Sequence, residues 1–255
     1  MISQDQILLY MTLFRGRKDI YARHWEKNGK SGYSPAYEFN WPEFMSFKAK
    51  GGRLADFPNK KPLVLTLEVI RSHLEGNQTI GIYPLLEDNT SYFIVADFDK
   101  DNWEKDSKRF IKMCEENNIS AYLERSRSGK GAHVWIFFED KYPASKSRAI
   151  VLELIRKALN LSEFEKEVSF DRLFPNQDYL TKNGIGNLIS LPLNGQSMRE
   201  QNTTFLDTDS YKVIGDQWEH LKNIKKISTT QLDNLYNQLI SKVNLTPLSR
   251  PIFND

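Results

Sequence analysis

The chain has 255 residues, 12% aromatic side chains, a net charge of +2 and a single cysteine. That length suits one large domain, or a core with helical additions, and Cys114 alone excludes an internal disulfide and points to a reducing compartment. No run approaches about 20 consecutive apolar residues and Met1-Ile2-Ser3-Gln4-Asp5-Gln6 lacks the basic start of a signal peptide, so the expectation is a cytoplasmic protein without a membrane span.

In chain order, Ile7, Leu8, Met11, Phe14, Ile20 and Tyr21 fall near helical spacing and predict a helix within 4–27, interrupted at Gly16. Arg15, Arg17, Lys18, Arg23, Lys27 and Lys30 crowd this segment, and a solvated face explains such a cluster by itself. Residues 28–62 read as an irregular, ordered connector. Thr66 predicts the start of a short helix that Gly76 stops. Ile80–Pro84 reads as a strand.

A more regular series follows. Strands are expected at Ser91–Asp99, Ser120–Glu124, Ala132–Phe138 and Glu167–Leu173, with helices at Trp103–Asn118 and Ala144–Leu159. The order strand-helix-strand-strand-helix-strand is the split βαβ, or ferredoxin-like, arrangement, with spatial strand order fourth, first, third, second. Asn187–Leu193 adds a strand, 216–227 a connector, and Ser228 caps a last helix to about Ser241, before an aperiodic tail at 244–255. The expected fold class is therefore α+β, a ferredoxin-like βαββαβ sheet with an N-terminal α/β extension and a C-terminal helix. A helical and irregular module (1–90) would pack on an RRM-like palm (91–215), followed by a linker, helix and tail (216–255).

The most apolar stretch, Tyr92-Phe93-Ile94-Val95-Ala96, ends in Asp97-Phe98-Asp99. Alternation points Asp97 and Asp99 to one side and Phe98 to the core, with the two aspartate Cα atoms about 7 Å apart. Two carboxylates on one face call for a counter-charge, and a hard divalent cation suits oxygen ligands. Asp171, in Val168-Ser169-Phe170-Asp171, alternates outward with Ser169. It lies on the fourth strand and His133 on the third, both neighbours of the first. Three such carboxylates suit two Mg²⁺ or Mn²⁺ ions about 3.5–4 Å apart. Taken alone, Asp97-Phe98-Asp99 is more often a strand end with solvated aspartates.

The loop Ser126-Arg127-Ser128-Gly129-Lys130-Gly131 has exposed amides and, with Arg125, three cations suited to phosphate. By itself the loop is more often a hairpin turn with basic flanks, whereas His133, alone a packed core residue as readily, is favoured for phosphate by its place beside the acidic strand. Arg172 and Lys182 are within reach of β- and γ-phosphates and Asn187 of the sugar, although surface charge on a loop accounts for them as well. Trp41, Phe44, Phe47, Trp103, Trp135 and Trp218 are expected in the core, with no nucleic-acid role.

Asp97-Phe98-Asp99, Ser128-Gly129-Lys130-Gly131-Ala132-His133 and Phe170-Asp171 together resemble the three motifs of the archaeo-eukaryotic primase superfamily. Leu13-Phe14-Arg15-Gly16-Arg17, Lys30-Ser31-Gly32-Tyr33, Gly81-Ile82-Tyr83-Pro84-Leu85, Leu123-Glu124-Arg125-Ser126-Arg127-Ser128-Gly129 and Arg172-Leu173-Phe174-Pro175-Asn176-Gln177 narrow the resemblance to primase-polymerases of the TOTE conflict systems and the CRISPR-associated group, over roughly residues 13–207. It implies a DNA primase and template-dependent DNA or RNA polymerase, a nucleotidyltransferase that joins nucleoside triphosphates on a single-stranded DNA template. Asp97, Asp99 and Asp171 would hold two Mg²⁺ or Mn²⁺ ions. Ser128, Lys130 and His133 would hold the incoming triphosphate with Arg172 and Lys182. Template, primer and nucleotides would be its partners, with CRISPR adaptation proteins or further fused domains beside them. Relatives often carry a cysteine cluster after the Gly-Tyr-Ser-Pro string, but Ala36–Lys61 has no cysteine, so no zinc is expected and an aromatic core would take its place.

Two rivals stand beside this reading. An RNA-recognition domain shares the topology but reads bases with aromatic residues on its sheet face. A metal-dependent nuclease uses the same carboxylates. A rolling-circle endonuclease lacks its second histidine here, and a cyclic-dinucleotide synthase its Gly-Gly-acid string.

Overall fold

A computed structural model describes residues 2–160, 169–182 and 184–241. Helix α1 (Gln4–Leu13) begins at a capping box in which Ser3 accepts from the Gln6 amide while the Gln6 side chain accepts from the Ser3 amide. It buries Ile7, Tyr10 and Leu13. The helix ends there, because the chain then runs against residue 83: a Cβ on Gly16 would lie 2.6 Å from the Tyr83 carbonyl oxygen.

Residues expected to continue this helix form strand β1 (Ala22–Lys27), hairpinned to β2 (Lys30–Pro35). The turn is Asn28-Gly29, both residues at positive φ, the pairing that matches the twist of a two-residue hairpin. The expected connector 28–62 is thus built of β2, β3 (Tyr37–Phe39), α2 (Trp41–Ala49) and β4 (Lys60–Pro62). The 1–90 module is therefore the expected α/β extension, with strands and a helix where an irregular connector was expected. The cysteine-free segment holds itself together with rings: Phe44 lies 5.1 Å from Phe39 and 5.4 Å from Phe57, and Phe47 lies 5.4 Å from Phe57. Trp41, expected in the core, is 62% exposed, whereas Trp135 is fully buried.

Helix α3 (Leu67–Leu74) starts at Thr66 as expected, and Gly76 follows it at φ +84°. Strand β5 (Ile80–Ile82) pairs with β1 and with the two-residue strand β10 (Ile189–Ser190), giving the order β10-β5-β1-β2. Asn187–Leu193 is a strand only over those two residues.

The palm sheet consists of β6 (Thr90–Asp99), β7 (Tyr122–Arg125), β8 (Gly131–Pro143) and β9 (Phe170–Phe174) in the order β7-β8-β6-β9, all antiparallel. This is the expected α+β arrangement. Helices α4 (Trp103–Glu116) and α5 (Ala144–Leu159) cover one face, where Ile94, Ala96 and Phe98 meet Phe110, Ile111, Ile150 and Leu154. The other face is shared with the amino-terminal helix and with the chain after β10: Phe93, Val95, Trp135 and Phe137 pack on Tyr10, Phe14, Leu193 and Phe205. The expected connector 216–227 contains helix α6 (Gln217–Lys222), whose Leu221 joins that second core. Helix α7 (Thr229–Tyr236) follows its Ser228 cap as expected. The tail 244–255 and the predicted strand start at 167–168 lie outside the described residues.

His73 ties the two halves of this second core together. Its Nε2–H donates to the Pro192 carbonyl at 2.9 Å and its Nδ1 accepts from the Ile80 amide at 3.3 Å, which fixes a neutral ring. Complete burial lowers its pKa to about 4. Between pH 6.5 and 4 the unfolded chain binds a proton that the folded one refuses, so stability is present above 6.5 and is lost as pH falls. From these two values the loss amounts to about 3 kcal/mol. Urea unfolding at pH 7 and pH 4.5 should show most of this drop. In His73→Leu the pH dependence should shrink, at a cost of about 1–3 kcal/mol at pH 7 from the orphaned polar groups.

Candidate active site

Along the second face, apolar residues give way to charge where the amino-terminal cover ends. On β6 Phe93 and Val95 are followed by Asp97 and Asp99, and on β8 Phe137 and Trp135 by His133 and Gly131. The register places Glu124 of β7 opposite His133, His133 opposite Asp97, and Asp97 opposite Arg172 of β9. Paired residues share a face, so one row crosses all four strands as acid, base, acid, base. His133 Nδ1–H donates to Glu124 Oε2 at 2.7 Å, and His133 Nε2 lies 3.7 Å from Asp97 Oδ1.

Asp171 reaches this face through a β-bulge. Phe98 pairs with Phe170 and Asp97 with Arg172, which leaves Asp171 as the extra residue. Strict alternation would turn Arg172 inward; the bulge keeps Asp171 and Arg172 on the same side, where Arg172 Nε donates to Asp171 Oδ2 at 2.5 Å. Carboxylate oxygens of Asp97, Asp99 and Asp171 all lie within 4.8 Å of one another. Gly131 makes room for this cluster, since a Cβ there would sit 2.4 Å from Asp99 Oδ1. Ser169, expected on this face, is buried beyond the strand, where its hydroxyl and amide donate to Asp106 Oδ2.

The electrostatics favour a bound cation. Four carboxylates face two cationic side chains, leaving a surplus of negative charge. Burial, and then the charges of Asp99 and Asp171, push the Asp97 carboxyl up to about 6 despite the attraction of His133. Burial opposes a charge on His133, yet Glu124, followed by Asp97 and Asp99, lifts it to about 9, so the ring is an imidazolium at neutral pH. An all-carboxylate oxygen set with surplus negative charge fits a hard dication such as Mg²⁺ or Mn²⁺.

The turn joining β7 to β8 adjoins this row. It is closed by Ser126 N–H to Gly131 O at 2.9 Å, with Gly129 at φ +72° packed against the Asn202 amide. Ser128 accepts from the Lys130 amide, and both side chains are exposed. Lys182 and Asn187 also stay exposed, on the connection from β9 to β10. Among the described residues neither makes a hydrogen bond or ion pair to the acidic cluster. The structure therefore brings together Asp97, Asp99, Asp171, Arg172 and His133, sets Ser128 and Lys130 on the adjoining turn, and leaves Lys182 and Asn187 apart.

Sequence reasoning gave Glu124 no role. It is 1% exposed and also accepts from Trp135 Nε1 at 2.9 Å, so both oxygen and charge are committed to orienting β8 side chains. Its signal was an acid two residues from Tyr122 at the end of an apolar strand that pairs with the histidine strand. The β1–β2 hairpin, missed in the sequence, also reaches this region: Tyr33 and Ser190 hydroxyls meet at 2.6 Å, and Glu26 lies 3.9 Å from Arg127 on the turn.

No curated protein matches this chain. Among solved structures it is similar to the polymerase domain of Mycobacterium tuberculosis ligase D in complex with DNA, at 11% identity and a TM-score of 0.40 over 92% of this chain and 86% of that one. It is also similar to the archaeo-eukaryotic primase domain of the cyanophage S-2L primase-polymerase, at 13% identity and a TM-score of 0.30 over 77% of this chain and 97% of that one. At the family level, residues 5–235 match the Archaeo-Eukaryotic Primase domain of the TOTE conflict system. The chain belongs to that family, and its activity is of the nucleotidyltransferase type.

Proposed function

We propose that this protein is a primase-polymerase that joins nucleoside triphosphates on a single-stranded DNA template. The observation that carries this reading is the cross-sheet row, in which a carboxylate cluster fit for divalent ions is flanked on both sides by fixed cations, His133 and Arg172. Metal ions call for the first and a polyphosphate for the second.

Asp97, Asp99 and Asp171 would hold two Mg²⁺ or Mn²⁺ ions. When bound, such ions neutralise the triphosphate and favour ionisation of the attacking hydroxyl. His133, held cationic by Glu124, donates to phosphate oxygens, and Arg172 offers a guanidinium from the other side of the cluster. The Ser128 hydroxyl, turn amides and Lys130 cradle the outer phosphates, with Lys182 added from the β9–β10 connection and Asn187 placed for the sugar. The primer 3′-hydroxyl oxygen bonds to the α-phosphorus, the bond to pyrophosphate breaks, and the hydroxyl proton leaves to solvent. This reading includes a TOTE or CRISPR-associated defence setting in the cytoplasm, with adaptation proteins or fused domains as partners. Among the described residues no helix is long and apolar enough to cross a membrane.

The test is synthesis on a single-stranded DNA template, with and without primer, using ribo- or deoxynucleotides and Mg²⁺ or Mn²⁺. Products should lengthen, and chelation should stop them. Strand shortening would assign a nuclease instead. Metal-independent binding without incorporation under any condition would leave an RNA-recognition-like binding module.

A further inference from the structure

The hairpin β1–β2 has two faces of opposite character. The register sets Ala22, His24 and Glu26 with Pro35, Tyr33 and Ser31 on the inner side, where Tyr33 meets Ser190 and Glu26 meets Arg127. The outer side carries Arg23, Trp25 and Lys27 with Ser34, Gly32 and Lys30. That face holds three cations and no acid, and Lys27 and Lys30 stand directly opposite each other.

Trp25 is set there as a platform. It is 43% exposed, against the fully buried Trp135. It pairs with Gly32, and a Cβ on Gly32 would lie 3.1 Å from the indole Cζ2, so the ring rests on bare strand backbone. Gly32 has no left-handed backbone to explain it; its lack of a side chain is what seats the indole. Arg23 and Lys27 flank Trp25 at about 7 Å along the strand. The Arg23 guanidinium is anchored by the Tyr21 hydroxyl at 2.9 and 2.6 Å. A π-face among three cations, one of them anchored, with no acid on the same face of the hairpin, is complementary to a base and its flanking phosphates.

We propose that this outer face is a docking surface for single-stranded DNA, with one base stacked on Trp25 and adjoining phosphates on Arg23, Lys27 and Lys30. The inner face of the hairpin meets Arg127 on the β7–β8 turn that adjoins the candidate active site, so a strand bound outside is held near the margin of the site it serves. The identity of the strand as template rests on the polymerase reading above; the stacking itself does not.

Fluorescence anisotropy of a labelled oligothymidylate in EDTA tests it without catalysis. Trp25→Ala should weaken binding by roughly tenfold, and Trp25→Tyr should restore most of it. Gly32→Val, acceptable to a strand, should displace the indole and reproduce the Trp25→Ala loss with the tryptophan still present. Lys27→Ala combined with Lys30→Ala should lower the logarithmic salt slope by about 1.4. Parental affinity in both Trp25→Ala and Gly32→Val overturns the proposal, as does an equal loss on blunt duplex DNA, which cannot offer an unstacked base. Primer extension on the same proteins separates the two readings. Trp25-dependent binding with no extension by the parent sinks the polymerase and keeps the platform. Extension with an unchanged half-maximal template concentration in Trp25→Ala sinks the platform and keeps the polymerase.

Discussion

In metal-free buffer at pH 8, the variant carrying Asp97→Asn and Asp99→Asn is expected to be more stable than the parent protein and to incorporate no nucleotide. The folded chain holds the Asp97 carboxyl at about 6, above its ordinary value of 3.8, because burial and two neighbouring carboxylates disfavour the anion. Such a group favours folding at acid pH and loses that contribution as pH rises through 6. At pH 8 the ionised carboxylate therefore costs the fold on the order of 3 kcal/mol, from the two values. An amide keeps the shape and removes the charge, so the thermal midpoint should rise by roughly 5 °C or more. Divalent ions should stabilise the parent by mass action and leave the variant unmoved. Ions at such a site supply several kcal/mol to the transition state, so incorporation should fall by at least about 10³-fold. Normal extension by the double variant would remove the carboxylates from the chemistry. A lower midpoint without metal would show that the cluster is held by contacts rather than strained by charge.

That strain explains why the palm was legible in the sequence. A run such as Tyr92–Ala96 belongs inside a protein, and its ending in two carboxylates with Phe98 between them marks the edge of that core. Period-two alternation predicts Phe98 in the core and both acids on one face, and the register bears this out. Split βαβ topology predicts the strand order that brings His133 and Asp171 beside them. What alternation does not carry is the bulge at Asp171, which turns Arg172 toward the acids. A single extra residue reverses the facing of everything after it, and no local signal marks where it falls.

The amino-terminal half was hidden for a different reason. Its strands are two to six residues long and pair across distance, as Ile189–Ser190 does with Gly81–Ile82. Strands that short hold no periodicity, and Ala22–Lys27 follows α1 closely enough to be read as its continuation. One local signal was present in Asn28-Gly29, whose preference for left-handed backbone specifies a hairpin. Trp41 misled because a large aromatic was assigned inward by type, whereas Phe39, Phe44 and Phe57 fill the small core and leave Trp41 outside.

Glu124→Gln should convert a pH-insensitive nucleotide site into a pH-sensitive one. The buried His133 ring is charged at neutral pH because Glu124, with lesser help from Asp97 and Asp99, overcomes burial and holds it at about 9. The amide removes the largest of those attractions and leaves burial in place, so the imidazolium loses its proton at a lower pH. Folding should survive, because the Gln carbonyl can still accept from Trp135 Nε1 or His133 Nδ1–H, whereas Glu124→Ala would strand a buried charge at about 3–5 kcal/mol. The parent should need nearly the same nucleotide concentration from pH 7 to 8, where a ring held at about 9 stays mostly cationic. In Glu124→Gln the requirement should match the parent at the acid end and rise by roughly 10–100-fold at the alkaline end, the range for partners that orient a working group. His133→Ala should show the raised requirement at every pH. Measuring half-saturating nucleotide concentration against pH for the three proteins separates a positioning carboxylate from a merely structural one. A structural role predicts loss of stability and a flat profile, whereas a charge-setting role predicts a sloped profile on a folded protein. The slope belongs to Glu124 because it alone among the row's acids has no place in the cluster within 4.8 Å; its charge acts on the histidine, and through the histidine on phosphate.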